Sequence, residues 1–122
     1  MNSEGLFRAK IVHLILSRNP EEALKFLSQH CHVVTPDLRV GMPKGHRKNS
    51  GCYIAGKKTI YVSDRDNLYN PYLILHEFYH HLRTTNGKHR GTEKYADKFA
   101  REFIEAYKVF PYTSESRSHS EH

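Results

Sequence analysis

Leu6, Phe7, Ala9, Ile11, Leu14 and Ile15 recur at helical spacing, and Ser3 stands before them as an N-cap. The pattern predicts a first helix ending near Ser17, with those residues on its apolar side. "NPEE" opens a second helix: Asn19 as cap, Pro20 at the first helical position and Glu22 three beyond the cap, running to about His30. "CHVVTP" then reads as a short strand stopped by Pro36. In "GCYIAGKKTIYVSD" two β-branched and aromatic runs flank "AGKK", which predicts a hairpin. Asn70-Pro71 repeats the cap-plus-proline start and opens a third helix that should end near Gly87. Thr92 caps a last helix whose apolar face is Ala96, Phe99, Ala100, Phe103, Ile104 and Tyr107, and Pro111 closes it. Helices around a small sheet predict an α/β (α+β) domain over residues 1–110. Residues 111–122, "PYTSESRSHSEH", form a polar C-terminal tail.

At 122 residues the chain suits a single core. The longest apolar runs are too short to span a bilayer, and the first residues, with an acid before any base, do not resemble a signal peptide. A cytoplasmic protein with no membrane partner is therefore expected. The formal net charge of +6 is spread along the chain, with one denser patch in "RVGMPKGHRKN". A solvated loop punctuated by glycine and proline is preferred there over a nucleic-acid contact. Cys31 and Cys52 form no CxxC pair.

The third helix carries "LILHEFYHHLR", with three histidines and a glutamate in six positions. His76 and His80 lie one turn apart and differ by only about 40° around the axis, so both imidazoles can reach one tetrahedral zinc ion (Zn2+). Glu77 flanks the pair rather than joining it, which is the position of a general base. His81, about 140° from His76, cannot join the same pair and reads as a partly exposed surface histidine. The stretch is an H-E-x-x-H motif, His76-Glu77-Phe78-Tyr79-His80, and it needs a third ligand. The long zincin extension fails, because Arg83 and Asn86 stand at its fixed offsets. His89 is in the connecting loop. Glu93 is the better candidate, since glycines at 87 and 91 allow a reversal that lays the next helix beside the first. Asp97, one turn after Glu93, can then accept the second ring N–H of a histidine ligand, most plausibly His76. The plainer reading makes Glu93 and Asp97 first-turn acids favoured by the helix dipole.

"HEFYH" followed by "EKYAD" resembles the HExxH…ExxxD pattern of the gluzincins, zinc peptidases, and its ExxAD form is similar to HtpX-like and CAAX-processing membrane metallopeptidases. With no membrane-spanning run, the chain most resembles the minigluzincins, over residues 49–110. The resemblance implies a zincin-like domain with a small twisted sheet, an HExxH active-site helix and a following glutamate-bearing helix. It makes His76, His80 and Glu93 zinc ligands, Glu77 the general base and Asp97 the residue behind a ligand. It also implies that the strand at 59–62 rims the cleft and pairs with an extended peptide. "ExxADxFA" is similar, too, to ImmA/IrrE-like peptidases, which act on repressors.

The resemblance implies a downstream Tyr, His or Arg to stabilise the oxyanion; Arg101, Tyr107 and Tyr112 are available, with Tyr107 better placed for the core. Minigluzincins also have latent forms blocked by C-terminal segments. In this chain Glu115, His119, Glu121 and His122 could then enter the cleft. The expected function is zinc-dependent endopeptidase activity on extended or unfolded polypeptides, made as a zymogen. The alternative is a non-catalytic zinc-binding regulatory or nucleic-acid-binding module, supported by the basic loop of residues 39–48.

Overall fold

The computed structural model describes residues 3–85 and 93–110. Its elements follow in the order α1 (Ser3–Leu16), α2 (Pro20–Cys31), β1 (Asp37–Val40), β2 (Gly51–Ile54), β3 (Thr59–Val62), α3 (Pro71–Thr85) and α4 (Glu93–Val109). Short 3-10 turns, Ala55–Lys57 and Arg65–Tyr69, follow β2 and β3. The class is α+β, with four helices and a three-stranded mixed sheet in the order β1-β3-β2. β1 runs parallel to β3, Asp37 opposite Thr59, and β2 runs antiparallel to it, Gly51 opposite Val62.

Ile60 and Val62 of β3 are fully buried, and the helices close over them with Ile11, Ile15, Leu24, Leu27, Ile74, Leu75, Phe78 and Phe103. α1 packs along α4, α4 lies beside α3, and β2 rests on α3. Gly5 and Ala9 join the buried face of α1, whereas Leu6, expected on its apolar side, is 50% exposed. Gly5 also lines the groove between α1 and α4.

Two expectations change. The strand expected over "CHVVTP" forms one segment later, at Asp37–Val40. Cys31 ends α2, His32 adopts a left-handed conformation (φ 60°), and the Val33 N–H donates to Ser28 O, a helix-ending reversal that uses up the start of that stretch. Second, β3 is paired on both sides, so it cannot take an extra strand. The hairpin between β2 and β3 forms as expected, turned through Ala55–Lys57 with Lys58 left-handed.

α3 starts as its sequence predicts: Asn70 Oδ1 accepts from the Leu73 N–H at 3.2 Å, and Asn70 O accepts from Ile74 at 3.0 Å. Gly51 of β2 lies against this helix. A Cβ there would meet Leu73 Cδ1 at 2.8 Å.

Candidate metal centre

α3 buries Ile74, Leu75 and Phe78 in the core, which turns His76 and His80 to the opposite side, toward the start of α4. Their Nε2 atoms face one carboxylate: His76 lies 2.7 Å from Glu93 Oε1 and His80 3.2 Å from Glu93 Oε2. One ligating atom from each of the three lies within 4.8 Å of the others, a group that can hold a metal ion. Behind it, His76 Nδ1 is 2.9 Å from Asp97 Oδ1. Asp97 accepts that ring N–H, which leaves the Nε2 lone pair for an ion. Tyr72 donates its O–H to the same Asp97 oxygen. That hydrogen bond and the adjacent imidazole hold the Asp97 carboxyl below its usual range, and the bond to Asp97 raises the Tyr72 phenol.

The donor set fits a borderline divalent cation. Bonds of about 2.0–2.1 Å in a tetrahedral site put neighbouring ligand atoms roughly 3.3 Å apart. The two Nε2 atoms face different oxygens of Glu93, at 2.7 and 3.2 Å, so the exposed glutamate would turn to present one oxygen to an ion held by both rings.

Glu77 is only 6% exposed and lines a cleft of about 650 Å3 together with His76, His80, Glu93 and Tyr72. Burial pushes its carboxyl up to about 7; His76 opposes the shift and Glu93 adds to it. The opposite wall is β2. It bonds to β3 through alternate residues, as in the Ser63 N–H donation to Ser50 O at 2.8 Å, so Gly51 and Tyr53 direct their backbone groups outward. The cleft-side edge of the sheet is therefore β2, not the strand at 59–62.

His81 is a correction. It is completely buried, not exposed. Its Nε2 is 2.8 Å from Val34 O, an acceptor, so Nε2 carries the proton and Nδ1 accepts from the Tyr53 O–H at 2.7 Å. Burial lowers its proton affinity, which keeps this neutral tautomer. The histidine thus bolts β2 to α3.

Among the oxyanion candidates, Tyr107 packs against the core. Arg101 lines the groove between α1 and α4, although its charge is felt at Asp97 and Tyr72. Tyr112, the tail residues Glu115, His119, Glu121 and His122, and His89, Gly87, Gly91 and Thr92 lie outside the described residues. Tyr72 was not anticipated, though it lies one turn before His76 on the same helix face, the relation that links His76 to His80. No helix among the described residues is long and apolar enough to cross a membrane. No family model, curated protein or solved structure matches the chain.

Proposed function

We propose that the chain is a zinc-dependent endopeptidase of gluzincin type, with a zincin-like domain and a polypeptide substrate bound in an extended form. The observation that carries the reading is the convergence of His76, His80 and Glu93 beside a buried Glu77 in one cleft. Bound there, zinc would supply Lewis acidity for a scissile carbonyl. His76, His80 and Glu93 would hold it, and Asp97 would fix the His76 ring through Nδ1.

Glu77 takes a proton from the attacking water and delivers it to the leaving amine, so that one carboxyl serves as base and then acid. A proton affinity near neutrality suits both halves of that cycle. The polypeptide lies along the outer edge of β2 and hydrogen-bonds the free backbone groups of Gly51 and Tyr53. Arg101 lines the groove between α1 and α4 and Tyr107 packs against the core, so neither lines this cleft.

Zinc-loaded protein should cleave casein, and Glu77→Gln should lower the rate at least about 1,000-fold while keeping zinc. Running the full chain beside a form ending at Phe110 checks latency in the same assay. Zinc retention by all forms with no cleavage by any would overturn the peptidase reading.

A further inference from the structure

Residues 49–55, which supply the wall of the cleft opposite α3, contain no Asp or Glu. Lys57 and Lys58 follow that stretch, both exposed and in no ion pair among the described residues. A further cation stands inside the cleft. Arg83 lies on α3 three residues after His80, lines the same cavity, and its Nε is buried with no hydrogen-bond partner among the described residues. A buried guanidinium donor without an acceptor is costly, and a carboxylate is the group whose geometry its fork matches.

The place of Arg83 follows from how β2 lies on α3. Gly51 meets Leu73, and Tyr53 reaches His81, so strand and helix advance in the same sense. Arg83 therefore sits where β2 leaves the cleft at Ala55, and the next residues there are Lys57 and Lys58, the latter close enough to act on His81. Three residues along α3 is about 4.5 Å of axial rise, which corresponds to roughly one or two residues of an extended peptide.

We propose that Arg83 determines specificity in this cleft: it binds a carboxylate of the polypeptide one or two residues from the scissile bond, with Lys57 and Lys58 adding positive charge where β2 leaves the cleft. The inference rests on the polypeptide-binding reading of the cleft. A nucleic-acid phosphate is the less favoured partner, because Arg83 points into the metal cleft beside an open strand edge rather than onto a broad surface.

Binding without turnover separates this inference from the peptidase reading. The probes are fluorescein-labelled decapeptides, C-terminally amidated, with one Glu scanned through neutral positions, each beside its Gln counterpart. A neutral peptide with a free C-terminal carboxylate distinguishes side-chain from terminal recognition. Anisotropy is measured on zinc-loaded full-length Glu77→Gln protein, with and without Arg83→Gln or Arg83→Lys. One carboxylate position, or the free terminus, should bind about tenfold tighter than its neutral partner. Arg83→Gln should reduce that preference to within about twofold, with Arg83→Lys in between and zinc affinity unchanged in both.

Equal binding of acidic and neutral peptides, a preference that survives Arg83→Gln, or no peptide binding at all would each overturn the inference. Tighter binding of a twelve-residue oligo-dT would do so as well. Acid-selective binding with no cleavage by the Glu77-containing chain leaves the inference standing and removes the peptidase; unselective cleavage does the reverse.

Discussion

Glu77 sets a carboxyl in a buried wall next to a candidate metal site, where its charged form costs stability. In the metal-free chain burial raises its carboxyl from 4.5 to about 7. A raised carboxyl pKa means that the folded state binds the proton more tightly than the unfolded one. Its contribution to stability is therefore full below pH 4.5 and is lost as pH rises through about 7, a change of about 3 kcal/mol. Glu77→Gln removes the titration. Urea unfolding in excess chelator should show the two proteins differing more at pH 8 than at pH 4.5, with the variant gaining about 3 kcal/mol across that window. His81, whose affinity for a proton is lowered, loses its contribution in the opposite direction, as pH falls below 6.5, but it is present in both proteins and cancels. A pH-independent difference would remove Glu77 from the buried wall. Asp97 is tested separately: Asp97→Asn should weaken zinc binding about 10- to 100-fold by competition titration, through loss of the anion behind His76.

β2 and α3 show what was legible in the chain and what was not. The HExxH pair was legible because it needs only the helix repeat, and Asn70-Pro71 announced where that helix begins. Glu93 and Asp97 were legible as a same-face pair one turn apart, once the glycines suggested a reversal. The identity of the edge strand was not. β1 had to lie past Pro36 and pair in parallel with β3, a connection that no local pattern encodes. The burial of His81 was equally hidden, since its partners Tyr53 and Val34 are 28 and 47 residues away in sequence. The position of His81 on the helix, about 140° from His76, sets it apart from the metal pair, and its partners come from distant parts of the chain. Gly51 is where this packing meets function. An added methyl pushes on Leu73, and because the obstacle is a leucine tip the strand can shift rather than unfold. Gly51→Ala should raise KM for peptide cleavage about tenfold and lower stability by about 1 kcal/mol, with zinc affinity within twofold of the parent. Loss of zinc binding together with KM would mean that β2 supports the metal ligands themselves and not only the peptide.

The centre is divided between two helices of one core: α3 rests against the sheet and supplies both histidines, while α4 packs on α1 and α3 and supplies Glu93 and Asp97. The start of α4 is tied to α3 by the hydrogen bonds of Tyr72 and His76 to Asp97 and by imidazole contacts at the exposed Glu93, the last of which contribute little in water. An ion joining the helices binds the folded chain and not the unfolded one, so it must stabilise the fold by mass action. At free zinc about 100 times its dissociation constant the gain is about 2.7 kcal/mol, which for a chain of this length is roughly 10 °C in Tm. The shift should grow with the logarithm of zinc concentration and disappear in His80→Ala, whose side chain is partly exposed and removes a ligand without emptying the core. The control matters because the chain has 10 histidines. If scanning calorimetry finds the same shift in His80→Ala, the ion is held by other side chains, and the joining of α3 to α4 through His76, His80 and Glu93 is wrong.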